Sequence, residues 1–79
     1  LFVKKDQIHW IREDLTLNPG EPAVYEARIR YRQPLTKATL VMKENGLYVL
    51  FDNAQKGVAS GQFVAWYHGE ECIGSGTIF

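Results

Sequence analysis

Hydrophobic and polar residues alternate over much of the chain, and the alternation is clearest across residues 24–33. Alternate residues there form two sets, one mainly apolar and one charged. The apolar set is Tyr25, Ala27, Ile29 and Tyr31, and the charged set is Glu26, Arg28, Arg30 and Arg32. A period of two is typical of a strand with one buried face. Pro34 ends the pattern, because proline cannot donate to a β-ladder. We therefore predict a strand over residues 24–33.

Further short strands are predicted over residues 1–5, 7–11, 35–43, 46–52, 62–68 and 70–79, with a brief one near Val58. The turn signals between them are Asn18-Pro19-Gly20, Asn45-Gly46 and His68-Gly69. This pattern predicts an all-β fold, a small closed or partly open barrel of about six mostly antiparallel strands. Gly74 and Gly76, two residues apart, favour a barrel because they would relieve crowding where the sheet coils sharply.

The 79 residues suffice for one domain. No apolar run in these residues is long enough to span a membrane, and we expect no secretory leader. The opening Leu1-Phe2-Val3 suggests a cut within an ordered region, so we expect residues 1–79 to form one domain of a longer enzyme. Cys72 is the only cysteine, which excludes an internal disulfide and favours a reducing, cytoplasmic setting.

Charge is balanced in total but segregated along the chain. Nine Lys+Arg offset nine Asp+Glu, giving a net charge of zero. No acidic residue lies between Ala27 and Lys43, and this stretch holds the cations Arg28, Arg30, Arg32, Lys37 and Lys43. Such segregation allows one face of the fold to be strongly positive although the total cancels.

The three arginines of the predicted strand are candidate phosphate ligands. Side chains two residues apart on a strand point the same way and are separated by about 6.6 Å, which is close to the spacing of successive phosphates. The planar guanidinium of arginine binds phosphate through two hydrogen bonds. Lys37 on the next strand would add a fourth cation. The alternative is a solvated outer face, with Glu26 and carboxylates of neighbouring strands as partners.

Other candidate sites are weaker. Trp66 and Tyr67 are adjacent on one strand, so one should enter the core while the other faces a base or a neighbouring domain. His9, His68 and Cys72 are too few for a zinc site. No triad of nucleophile, base and acid is recognisable, and no glycine-rich loop leads into a helix. We expect neither a catalytic centre nor a metal site in this chain.

Several segments in order resemble the C-terminal β-barrel domain of the tRNA-specific 2-thiouridylases (MnmA/TrmU type). They are Ile8-His9-Trp10-Ile11, Arg30-Tyr31-Arg32-Gln33, Gly61-Gln62 and the run from Trp66 to Gly76. The resemblance covers nearly the whole chain. It implies a barrel similar to the second domain of translational elongation factors.

The resemblance also implies a function for the parent enzyme and a role for this domain. Enzymes of that family place sulfur on C2 of the wobble uridine of certain tRNAs. Their N-terminal domain uses ATP with magnesium, and a sulfur-donor protein provides the sulfur to the parent enzyme. The barrel would help to hold tRNA, with phosphates contacted by Arg28, Arg30, Arg32 and Lys37, and would itself bind no cofactor.

Two alternatives remain open at this stage. The barrel could only brace the catalytic domain, with its arginines paired to acids, or it could belong to a translation factor. An open positive face would favour RNA binding, whereas arginines capped by Glu26, Glu44 or Asp52 would favour bracing.

Overall fold

A computed structural model describes all 79 residues, Leu1–Phe79. Six strands form a closed barrel in the spatial order β1-β4-β3-β2-β5-β6, and every neighbouring pair is antiparallel. The strands are β1 (Phe2–Trp10), β2 (Ala23–Arg28), β3 (Thr36–Lys43), β4 (Gly46–Phe51), β5 (Phe63–His68) and β6 (Glu71–Ile78), with one 3₁₀ turn at Glu13–Leu15. No helix is long and apolar enough to cross a membrane. The predicted all-β class and antiparallel barrel are confirmed.

Strand β1 closes the barrel because it pairs with two neighbouring strands, β4 and β6. Its beginning pairs with β4, where Val3 lies opposite Leu47, and its end pairs with β6, where Trp10 lies opposite Gly74. The pairing with β6 shifts register between Val3 and Ile8. An irregularity of this kind bends a strand and increases its twist, as barrel closure requires. The two short strands predicted for residues 1–5 and 7–11 are therefore one continuous strand with an irregular centre.

The hairpin turns lie one residue away from their predicted positions. The β3–β4 turn consists of Glu44 and Asn45, while Gly46 already pairs with Lys43 as the first residue of β4. The β5–β6 turn is centred on Gly69 and Glu70, not on His68 and Gly69. The brief strand predicted near Val58 does not form. Sequence signals thus identified the hairpins but not the residues at the tip of each turn.

The core lies inside the barrel and follows the alternation of the strands. Eleven buried hydrophobic residues form it: Val3, Ala27, Ile29, Ala38, Leu40, Leu47, Val49, Val64, Trp66, Ile73 and Ile78. Of the adjacent pair on β5, Trp66 is fully buried and Tyr67 faces outward, half-buried. This confirms that the two aromatic side chains take opposite faces of the strand.

Gly74 lies between two tryptophans from neighbouring strands. It is opposite Trp66 on one side and Trp10 on the other, and the two indole rings meet edge to face with centroids 5.4 Å apart. A Cβ on Gly74 would lie 2.5 Å from Nε1 of Trp66. A Cβ on Gly76 would likewise lie 2.5 Å from Cγ1 of Val3. The prediction that these glycines relieve crowding is confirmed.

One arginine fastens the segment that follows β1 to the beginning of β6. The guanidinium of Arg12 donates to both carboxylate oxygens of Asp14, at 2.9 and 2.7 Å, and to Oε1 of Glu71 at 2.7 Å. These are the only ion pairs in the structure. The hydrogen bonds from Arg12, together with its charge, hold the pKa of Asp14 below its ordinary value of 3.8.

Replacing Gly74 by alanine should destabilise the barrel by about 1–3 kcal/mol, the usual cost of overpacking a core. The new methyl group would meet a fully buried indole ring that has no room to withdraw. Urea unfolding of the chain measures this cost. Ser75→Ala is the matched control, because the side chain of Ser75 points out of the barrel, and it should change stability by less than about 0.5 kcal/mol. Equal effects would contradict the close approach.

The contact between Arg12 and Asp14 should weaken in acid. Because the pKa of Asp14 is lowered in the folded state, its contribution to stability is complete above the ordinary pKa and is lost as the pH falls through the lowered one. An NMR titration of the Asp14 carboxyl carbon should give a midpoint below 3.8. In Arg12→Ala the midpoint should return to the ordinary value. An unchanged midpoint in that variant would show that another group causes the shift.

Candidate nucleic-acid interface

The three arginines do not lie on one strand. β2 ends at Arg28, and residues 29–33 fold into a turn (the arginine turn) in which the amide of Gln33 donates to the carbonyl of Arg30 at 3.0 Å. The side-chain Oε1 of Gln33 also accepts from the amide of Ile29 at 2.9 Å, in place of a strand neighbour. The predicted strand over 24–33 is therefore wrong in its second half. The regular spacing expected for Arg28, Arg30 and Arg32 is lost with it.

Arg28 is held between two tyrosines at the end of β2. Its Nη2 donates to the hydroxyl of Tyr67 at 2.9 Å. Its guanidinium carbon lies 5.0 Å from the ring centroid of Tyr67 and 5.2 Å from that of Tyr31. Both distances are within the range of cation–π attraction. Arg28 therefore joins β5 to the arginine turn while the remaining N–H groups of its guanidinium are unengaged.

Arg30 ties the arginine turn to the loop that connects β4 and β5, residues 52–62 (the long loop). Its Nη2 donates to the carbonyls of Lys56 and Gly57, both at 2.9 Å. Gly57 has φ of +67°, and a Cβ there would lie 2.6 Å from the same Nη2. Gln33 adds a side-chain hydrogen bond to Gln55. The turn and the loop thus form one bonded unit.

Of the four predicted phosphate ligands, Arg32 and Lys37 are the two without a partner in the protein. Both side chains are exposed, and neither makes a hydrogen bond or an ion pair. Lys37 lies opposite Glu26 in the ladder between β2 and β3, which offsets part of its charge. No carboxylate lies within 4.0 Å of any of the four predicted ligands. The bracing alternative in its simplest form requires Glu26, Glu44 or Asp52 to cap these cations, and none of the three does so.

Tyr31 and Lys56 are two further residues of this surface that sequence reasoning missed. Tyr31 was assigned to the buried side of the predicted strand, yet it is 85% exposed in the arginine turn. Lys56 lies in the long loop, where no pattern singles it out, and only the contacts of Arg30 show that the loop is adjacent. Alternation continues as far as Arg32, beyond the end of β2 at Arg28, so the sequence pattern gives no signal that the strand ends early.

A second surface is apolar and lies on the outside of the sheet. Cross-strand register forms two rows, Val24–Thr39–Leu50 over β2, β3 and β4, and Val41–Tyr48–Phe2 over β3, β4 and β1. The ring of Phe2 packs on Tyr48 at 5.0 Å and on Phe79 at 6.1 Å. We call this surface the apolar outer face. Exposed apolar patches are typical of surfaces that contact another protein, a membrane or a ligand.

No cluster of three or more His, Cys, Asp or Glu side chains could hold a metal ion. Cys72 is half-buried, with its Sγ 3.6 Å from the carbonyl of Gly74. Glu70 lies in the β5–β6 turn, whereas Glu71 is bound to Arg12. The surface around the arginine turn offers cations and an exposed aromatic side chain, which can bind anions and flat ring systems.

Replacing Arg30 by alanine should loosen the long loop. It removes two charge-assisted hydrogen bonds on a partly solvated surface, at an expected cost of about 0.5–1.5 kcal/mol. Arg32→Ala is the same chemical change two residues away and should cost less than about 0.5 kcal/mol. Urea unfolding, with amide hydrogen exchange of Lys56 and Gly57, measures both effects. Equal losses in the two variants would show that the Arg30 contacts do not order the loop.

Comparison with known proteins identifies the family. Residues 3–78 match the family model described as the aminomethyltransferase β-barrel domain. The chain is 53% identical to the tRNA-specific 2-thiouridylase MnmA of Christiangramia forsetii and 56% identical to that of Flavobacterium johnsoniae, over 99% of this chain and 20% of each relative. It is 43% identical to the Bacillus subtilis enzyme over 90% of this chain and 19% of that relative.

The chain thus spans about a fifth of the length of the curated relatives that it matches. The match includes almost every residue of the barrel, and the resemblance noted from the sequence is confirmed. The chain belongs to the aminomethyltransferase β-barrel domain family, in the form that occurs in tRNA-specific 2-thiouridylases.

Proposed function

We propose that this chain is the C-terminal RNA-binding domain of a tRNA-specific 2-thiouridylase. The observation that carries the proposal is a group of four cations on or beside the arginine turn, none of which forms an ion pair with a carboxylate: Arg28, Arg30, Arg32 and Lys37. Uncapped cations on a surface attract the phosphates of nucleic acid. The names of the relatives indicate that the nucleic acid is tRNA.

The four cations would contribute in two ways. Arg32 and Lys37 have free side chains, which can reach phosphates and release the counterions around them. Arg28 and Arg30 each use Nη2 on protein oxygens. An arginine has five N–H donors, so the rest of each fixed guanidinium remains available to an RNA oxygen. Fixed donors lose less conformational freedom on binding than mobile ones.

Under this proposal the chemistry belongs to the rest of the enzyme. Thiolation of the wobble uridine at C2, the use of ATP with magnesium, the sulfur-donor protein and a cytoplasmic location are properties proposed for the parent. We assign no ATP site to this chain. Its only glycine-rich run, Gly74 to Gly76, lies inside β6 with both glycines against the core, and no helix follows it.

A second candidate function is to brace the catalytic part of the same polypeptide, and the apolar outer face favours it. Leu50 is 53% exposed and Val24 is 60% exposed in one cross-strand row. The relatives are about five times longer than this chain, so a large part of such an enzyme is available to cover that row. Docking on this face is compatible with RNA binding, because it leaves Arg32 free. The family match favours both functions over a translation-factor barrel.

The variant Arg32→Ala/Lys37→Ala of the full-length enzyme should bind tRNA several-fold more weakly. It should also show a salt dependence, d log K/d log[salt], that is shallower by about 2, one for each lost phosphate contact. Filter binding at several salt concentrations measures both quantities. Thermal unfolding should be nearly unchanged, since both side chains are exposed and neither makes a hydrogen bond or an ion pair.

The matched control is Lys4→Ala/Lys5→Ala. It removes the same charge from β1, which is three strands away from β2 in either direction around the barrel. The control should keep most of the tRNA affinity. If both double variants bind tRNA like the unmodified enzyme, the RNA-binding role is wrong, and the bracing role through the apolar outer face remains.

A further inference from the structure

The exposure of Tyr31 has no explanation in the stability of the barrel. Its side chain is 85% exposed, and its hydroxyl makes no hydrogen bond with the protein. A large aromatic ring gains little from folding when it stays in water. The ring nevertheless projects from a turn that several specific contacts hold in place.

The ring of Tyr31 is backed on one side by a fixed cation. The guanidinium carbon of Arg28 lies 5.2 Å from its centroid, and Arg28 is itself anchored to the hydroxyl of Tyr67. At 85% exposure, the rest of the ring is open to solvent. The result is a flat aromatic surface with a set orientation, supported from behind by Arg28.

The backbone under this ring is ordered before any ligand arrives. The amides of Ile29 and Gln33 are both bonded within the arginine turn. Arg30 and Gln33 then fasten the turn to the long loop. A surface that is ordered in advance loses less entropy when it binds. Arg30 and Gln33 are therefore positioning residues for Tyr31.

Two further cations belong to the segments that hold the ring. Arg32 follows Tyr31 directly in the chain, and Lys56 lies in the loop whose carbonyl binds Arg30. Aromatic faces next to cations are the combination that proteins use to hold single-stranded nucleic acid, with bases on the rings and phosphates on the cations. A base in a duplex has no free face to offer, so this arrangement suits an unpaired base.

We propose that Tyr31 stacks on one unpaired nucleobase of the bound RNA, while Arg32 and Lys56 contact the phosphates beside it. This inference rests on the proposed RNA-binding function and adds the class of its ligand, an unpaired nucleotide. A protein partner fits less well, because Tyr31 stands on a charged turn and not in the apolar outer face.

The test measures binding of the full-length enzyme to two RNA probes, a hairpin with an unpaired loop and a blunt duplex of the same length. Tyr31→Ala should weaken binding to the hairpin by about 5- to 150-fold, the range for one lost base-stacking contact. It should leave duplex binding unchanged. Tyr31→Phe keeps the ring and should stay within about twofold of the unmodified enzyme, whereas Tyr31→Leu keeps only bulk and should bind like Tyr31→Ala.

Tyr31→Trp provides a direct optical readout of stacking. Its binding to the hairpin should be at least as tight as that of the unmodified enzyme, and its added fluorescence should be quenched by the hairpin and not by the duplex. Thermal unfolding of every variant should match the unmodified enzyme, because the side chain is exposed.

Several results would overturn the inference. Equal weakening of hairpin and duplex by Tyr31→Ala would mean that the residue contacts the backbone. An equal loss in Tyr31→Phe would assign the effect to the hydroxyl. If Tyr31→Ala is silent while Arg32→Ala/Lys37→Ala weakens binding, stacking is wrong and the RNA-binding function stands. If both are silent, both proposals fail, and Tyr31 becomes a candidate protein contact.

Discussion

The contact of Trp10 with Trp66 across Gly74 is the constraint on which the rest of the structure depends. It joins β1, β6 and β5, the three strands that complete the ring. A Cβ at Gly74 would lie 2.5 Å from Nε1 of Trp66, so its absence allows β6 to approach the buried indole this closely. The Nε1–H of Trp66 is buried without an acceptor, which commonly costs free energy. The packing of the indole must outweigh that cost.

Barrel closure also builds the surface proposed to bind RNA. Closing the ring places β5 beside β2, which brings Tyr67 within reach of Arg28. It also brings the long loop, which leads into β5, against the arginine turn. The cations of this surface therefore divide into those that hold the turn, Arg28 and Arg30, and those whose side chains make no hydrogen bond or ion pair, Arg32, Lys37 and Lys56. A chain of zero net charge can in this way present an unneutralised cationic surface.

Structure could be predicted from the sequence where the local alternation of apolar and polar residues matched their final burial. It could not be predicted where contacts between distant segments determined the conformation. The burial of Ala27, next to the exposed Glu26 and the half-buried Arg28, follows the period of two read from the chain. The same reading failed beyond Arg28, because alternation continues through a segment that the side chain of Gln33 turns into a bend. The contacts of Arg30 with the long loop join residues that are 26 and 27 positions apart. No local pattern reports contacts of that kind.

The most direct test of the central claim, that the arginine turn and the long loop form the RNA-binding surface, is ultraviolet cross-linking of the full-length enzyme to tRNA. Mass spectrometry then identifies the cross-linked residues. We expect cross-links at Tyr31 and within residues 52–62, with none at Tyr48 or Phe2 of the apolar outer face. Cross-links confined to Tyr48 and Phe2, or none anywhere in the barrel, would contradict it.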